Sequence, residues 1–194
     1  MGAILNVIAA SGGSTIVGSP RIYTSGTAVT ETVPATANSV IIEVYGGGSS
    51  GACIATAGPT PGGGTGGAYS IKTMTVVAGN TFTYTVAALI NGTGGGINPI
   101  NFGNASTVVN GTAPATNINS GQAGSTAPSG GDTNTSGSGP TNPAGGAGAG
   151  PLGGAGGATL GVNGTAPGGA GAGNNSSNTP GSGARGQIIF TYYT

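Results

Sequence analysis

The stretch Pro143-Ala-Gly-Gly-Ala-Gly-Ala-Gly-Pro151-Leu-Gly-Gly-Ala-Gly-Gly157 decides how this chain is read. Glycine recurs there at every second or third position, and between Thr107 and Gln187 there is no aromatic side chain and almost no charge. Such a segment cannot bury enough side-chain surface to offset the entropy of ordering it, so composition alone describes a flexible low-complexity linker. If it is ordered, its backbone donors and acceptors must be satisfied by backbone packed on backbone. Three-residue helices of the polyproline II type permit this, because glycine lets neighbouring backbones approach closely. The expectation is a structural protein, not an enzyme.

Collagen is the obvious alternative for so much glycine, but a triple helix requires glycine at every third position without interruption. Here Gly145, Gly148, Gly154 and Gly157 keep one phase, Gly150, Gly153 and Gly156 a second, and Gly146 and Gly161 a third. Collagen is excluded. Two glycines in many triplets instead fit a bundle whose helices touch neighbours on more than one side.

Working outward, the apolar residues lie mostly before Val109 and after Gln187, and they alternate as strands do. Val40, Ile42 and Val44 share one face while Ile41, Glu43 and Tyr45 share the other. In Thr81-Phe-Thr-Tyr-Thr-Val86 the residues Phe82, Tyr84 and Val86 form a buried face against three threonines. Ala78-Gly-Asn80 then reads as the turn of a hairpin between this strand and residues 69–77. Residues 22–33 read as an edge strand or pair ending at Pro34, and Gln187-Ile-Ile-Phe-Thr-Tyr-Tyr193 as a closing strand. No helical period is present. The predicted fold class is mostly β: a small antiparallel β-sandwich base with projecting glycine-rich loops forming polyglycine or polyproline II-type helices. Strands are expected at about 21–33, 39–46, 69–77, 81–88, 106–109 and 187–193, with glycine-rich excursions at 46–68, 91–103 and 110–186.

Charge narrows the function classes. Three cationic and three anionic residues cancel, and there is no histidine. A nucleic-acid binder needs clustered Lys and Arg, which this chain lacks. The commonest general base and metal ligand is missing, so no catalytic, cofactor-binding or metal-ligating residues are assigned. Glu31 and Glu43 would form an acid/base pair only if they met across strands; the plainer expectation is two solvated strand residues. Cys53 stands alone and reads as a small buried apolar residue. No apolar run approaches the ~20 residues of a membrane helix.

The order of the pieces resembles the glycine-rich domains of tailed-bacteriophage virion proteins, such as fibre and fibre-tip proteins. Val33-Pro-Ala35 followed by Ser39-Val-Ile-Ile-Glu-Val-Tyr-Gly-Gly-Gly48 is similar to that family's opening strands, and residues 66–86 are similar to its central hairpin. Phe102-Gly103 with Ser106-Thr-Val-Val109 resembles the short strand after the second excursion, and residues 183–193 resemble the closing strand. The resemblance frames residues 20–193. It implies a virion protein whose glycine runs form a polyglycine II bundle, with loops at its end that touch a host receptor in the adhesin members.

Two sets of residues follow as candidates. Ile4, Leu5, Val7 and Ile8 fall in residues 1–19, expected to be a docking or oligomerisation segment preceding a 20–194 glycine-rich β domain. Asn117, Asn119, Asn174, Asn175 and Asn178 are the candidate exposed tip residues, whose plainer reading is solvated turns. The expected function is a structural virion surface protein (fibre, spike or decoration subunit); the alternatives are a receptor-binding fibre tip and an ice-binding or cell-surface glycine-rich protein. Expected partners are other virion proteins reached through the N-terminal segment, further copies of the chain, and a weakly bound host-surface glycan or protein. Neither nucleic acid nor membrane insertion is expected, and the expected location is the virion surface.

Overall fold

A computed structural model of the chain describes residues 14–54, 61–94, 99–175 and 178–194. They form strands β1 (Arg21–Tyr23), β2 (Val29–Thr32), β3 (Ser39–Tyr45), β4 (Cys53–Ile54), β5 (Tyr69–Thr75), β6 (Thr81–Thr85), β7 (Thr107–Asn110), β8 (Asn117–Asn119), β9 (Thr133–Thr135), β10 (Asn174–Asn175) and β11 (Gln187–Tyr193). No α-helix occurs among the described residues. A five-stranded antiparallel sheet has the order β1-β11-β3-β5-β9, and a four-stranded antiparallel sheet the order β2-β6-β7-β8. β4 and β10 pair in parallel as a separate small ladder.

The two larger sheets pack as a sandwich, and the period-two alternation decides what lies between them. Val40, Ile42 and Val44 of β3 and Ile188, Phe190 and Tyr192 of β11 meet Phe82, Tyr84, Val108 and Ile118 from the other sheet. Phe190 lies within 6.2 Å, ring centroid to ring centroid, of Tyr84 and Tyr192, and 5.6 Å from Phe82. Aromatic and branched side chains thus supply the hydrophobic stabilisation, as burial of large apolar area requires. A second, smaller cluster lies on the outer face of the five-stranded sheet, where Tyr45, Tyr69 and Ile189 are covered by Ala149 and Leu152 from the glycine-rich region.

The expected hairpin at residues 78–80 is not one. β5 stays in the five-stranded sheet and β6 belongs to the four-stranded one, so the turn is a corner between sheets. Gly79 takes φ +79° there, and Val33 donates to the Asn80 carbonyl at 2.9 Å while Gly79 donates back to Val33 at 3.1 Å. The β2–β3 connection therefore crosses beside it. Turn residues alone do not distinguish a hairpin from a corner. The difference lies in packing: β6 must oppose β3 across the core, so it cannot also extend β5 within one sheet. Residues 22–33, in turn, supply two edge strands, β1 and β2, one to each sheet.

The glycine-rich runs are ordered by hydrogen bonds that recur every third residue, the signature of a threefold helix with no internal bonds. In the run 46–52, Gly46, Ser49 and Ala52 donate to Ala68, Thr65 and Gly62. Gly47 and Ser50 donate to Asn104 and Asn101, while Gly48 and Gly51 donate to Ala184 and Gly181. Each residue in turn addresses a different neighbour. The run 168–174 is more completely surrounded. Gly169 and Ala172 donate to Thr165 and Val162, Ala170 and Gly173 to Gly146 and Pro143, and Gly171 and Asn174 to Ser49 and Ala52. Its carbonyls accept in the same rotation: Pro167 and Ala170 from Gly154 and Gly157, Gly168 and Gly171 from Gly67 and Gly64, and Gly169 and Ala172 from Ala184 and Gly181. Three donor-side and three acceptor-side neighbours make a hexagonal arrangement around one central helix. Backbone satisfaction, worth about 1 kcal/mol net per bond, replaces the missing side-chain core.

The connections give the molecule two poles. β3 leads out into the bundle from Tyr45, while chains return to β5 at Tyr69 and to β11 at Gln187; Tyr45 is the register partner of both. The far end of the bundle carries β4 and β10. At the opposite end of the sandwich, Ser39 pairs with Thr75 and Tyr193, and Thr194 donates to the Thr15 carbonyl at 3.0 Å.

Candidate functional site

Residues Ile4, Leu5, Val7 and Ile8 lie outside the described residues. The chain that follows them is already part of the sandwich. Ile16 bridges Tyr193, Val17 donates to the Tyr192 carbonyl at 2.9 Å, and the Val17 side chain packs on the main core. The folded body therefore takes in residues before 20, the boundary expected from sequence.

The candidate tip residues divide into two places. Asn117 and Asn119 are not at a tip: they form β8, an edge strand paired with β7, with Ile118 between them fully buried in the core. Asn119 is half-buried and its Oδ1 accepts from the Gly121 amide at 2.7 Å. A polar strand of three residues with one inward apolar side chain gives too short an alternation to read as a strand. Asn174, Asn175 and Asn178 do lie together at the far end of the bundle. Asn174 Nδ2 donates to the Thr179 carbonyl at 3.0 Å, and its Oδ1 accepts from the Asn175 amide at 2.8 Å. Asn175 and Asn178 are exposed. Cys53 is fully buried beneath them, its Sγ donating to the Asn178 carbonyl at 3.3 Å, as the expectation of a buried small residue requires.

The carboxylates contradict the expectation of solvated strand residues. Glu31 is 3% exposed and Glu43 is 8% exposed. Glu31 on β2 accepts from Arg21 and from the hydroxyls of Tyr23 at 2.5 Å and Tyr192 at 3.0 Å. Glu43 on β3 lies on the other side of the five-stranded sheet and accepts from the Tyr69 hydroxyl at 2.9 Å and the Tyr45 hydroxyl at 3.1 Å. The two sites share no ligand, so they do not form an acid/base pair. Each is a carboxylate enclosed by phenols, which is how a buried charge becomes tolerable in a low-dielectric interior. Sequence reading missed both because each cage is closed by a tyrosine from a non-adjacent part of the chain, Tyr192 for Glu31 and Tyr69 for Glu43.

Burial is also the first cause of an upward displacement of every tyrosine. Burial and the hydrogen bond to Glu31 push Tyr23 up to about 12. Tyr45, Tyr69 and Tyr192 are driven well above the ordinary phenol value by burial, then by the adjoining glutamate charge. Tyr84 and Tyr193 move the same way for the same two reasons. With native values above the unfolded value near ~10, the fold prefers the neutral phenol. Stability is therefore complete below about pH 10 and falls above it, by up to about 1.4 kcal/mol per pH unit for each tyrosine still protonated in the fold. Denaturant unfolding followed from neutral to alkaline pH should show a flat region, then a steep loss, with tyrosinate absorbance rising only as structure is lost. A tyrosine that ionises normally in the intact fold would contradict the enclosure described for it.

Among the described residues there is no cluster of three or more metal-ligating side chains, and no helix is long and apolar enough to cross a membrane. No family model matches the chain, and no curated protein sequence matches it significantly.

Proposed function

We propose that this chain is a structural surface subunit of a bacteriophage virion, a fibre, spike or decoration protein that acts by assembly and exposure. One observation carries the reading: the sandwich gathers Thr15 and Thr194 at one pole and extends the hydrogen-bonded glycine bundle from the other. That polarity suits a protein held at one end and displayed at the other. The near absence of charge supports it, because a surface without like-charge repulsion favours association. The carboxylates support a non-enzymatic reading, since Glu31 and Glu43 are both committed to tyrosine hydroxyls. A receptor-binding tip is the second reading, favoured by the exposed Asn175 and Asn178 at the far end of the bundle.

In this reading residues 1–13 attach the subunit to its assembly. A shortened chain beginning at Ser14 keeps the pairing of Thr15, Ile16 and Val17 with the end of β11. It should melt within about 2 °C of the full chain, since no core contact named above is removed. It should nevertheless be missing from purified particles, as measured by mass spectrometry. Incorporation at normal copy number would refute the docking role. Absence of the full-length chain from particles would refute the virion assignment itself.

A further inference from the structure

The charge inventory leaves one group unused. Three cationic and three anionic side chains are present. Arg21 engages Glu31, Lys72 lies 3.7 Å from Asp132, and Glu43 holds two tyrosines. Arg185 is exposed, and its side chain engages no group among the described residues. It borders a cleft of about 260 Å³ at the root of the glycine bundle, beside the sandwich. Thr24, Ser25 and Thr27, in the β1–β2 loop, give the cleft a hydroxyl-bearing wall. Residues 86–89, Val-Ala-Ala-Leu, give it an apolar floor, with Leu89 51% exposed at the rim.

This cleft is held in shape by the fold. The Val86 amide donates to the Gly26 carbonyl at 2.9 Å, tying wall to floor, and Gly186 donates to Ala87 at 3.0 Å, tying the floor to the Arg185 segment. Ala28, at φ +51°, is turned into the left-handed region and donates to Thr85 Oγ1 at 3.0 Å. Gly26, at φ +130°, sits so close to Tyr84 that a Cβ there would lie 3.0 Å from the ring. A preformed cleft loses little entropy on binding.

We propose that this cleft binds a single carboxylated sugar residue of an acidic polysaccharide. The Arg185 guanidinium takes the planar carboxylate as a two-pronged donor, which is the geometry that arginine presents. The hydroxyls of the 24–27 loop exchange hydrogen bonds with ring hydroxyls, and the C–H face of the ring lies on the apolar floor. A bare phosphate fits less well. Among the described residues Arg185 is the one cationic residue lining the cleft, whereas a phosphate carries more charge than a single guanidinium offsets. The volume is just below the ~300 Å³ at which sites for drug-sized ligands begin, so it suits one ring.

The proposal concerns the side of the molecule and does not depend on the virion assignment or on the distal asparagines. Its test is a titration of the full chain with trisaccharides of galacturonic, glucuronic and sialic acid, their uncharged methyl esters, and inorganic phosphate. At least one acid should bind saturably and more weakly as salt rises, with its ester weaker by about tenfold or more. Arg185→Gln should lose binding by a similar factor with an unchanged melting temperature, and Arg185→Lys should fall between the two. Saturable binding by none of the three acids would overturn the proposal. So would equal binding of acid and ester, undiminished binding by Arg185→Gln, or phosphate binding as tightly as the best acid.

Discussion

Replacing Gly171 by alanine should destabilise the whole protein by about 3 kcal/mol, the upper end of what overpacking costs, and lower its melting temperature by about 6–12 °C. Gly171 lies in the central run of the bundle, and a Cβ there would fall on the Gly181 carbonyl and the backbone of Ser182. A side chain obstructed by another side chain can often repack. One obstructed by backbone must separate two helices, and with them the bonds from Gly181 to Ala172 and from Ala184 to Gly169. Gly139→Ala is the matched control, because nothing lies within 4 Å of its added methyl and its φ is not positive. It should be neutral or stabilising by up to about 1 kcal/mol, through the reduced freedom of the unfolded chain. Thermal melts of the two variants decide the matter. Equal losses would mean that the glycine runs are not the close-packed array described.

The sequence made some features of this architecture legible and hid others. The alternations Val40/Ile42/Val44 and Phe82/Tyr84/Val86 identify strands and their inward faces because a period of two is local. The multiple glycine phases identify a bundle, not a triple helix, because each phase marks another side on which a backbone must approach. Which run lies beside which is hidden: Gly48, Gly67, Gly154 and Gly171 look alike in sequence, and only the three-dimensional path makes 168–174 the central helix. The corner at residues 77–80 was hidden for a related reason, since the sheet to which β6 belongs depends on what it opposes. The tyrosine cages were least visible. Glu31 and Tyr192 are 161 residues apart, so nothing local distinguishes this glutamate from a solvated strand residue.

That distant contact has the second large consequence. Glu31 belongs to β2 in the four-stranded sheet, whereas Arg21, Tyr23 and Tyr192 belong to β1 and β11 in the five-stranded one. One carboxylate thus joins the two sheets along the edge where β1 and β2 lie. Glu31→Ala would leave the Tyr192 hydroxyl buried without an acceptor and the Tyr23 hydroxyl half-buried without one. At about 1–3 kcal/mol for each unsatisfied group, the loss should be about 3 kcal/mol. Arg21→Ala should cost far less, about 1 kcal/mol or below, because that side chain is 42% exposed and water replaces much of what it gives. Tyr192→Phe should fall between the two, and combining it with Glu31→Ala should cost less than the sum, since both remove the same bond. Denaturant unfolding of the four variants measures this order. If Arg21→Ala matched or exceeded Glu31→Ala, the sheets would be joined by the ion pair, and the phenol cage would be incidental to the fold.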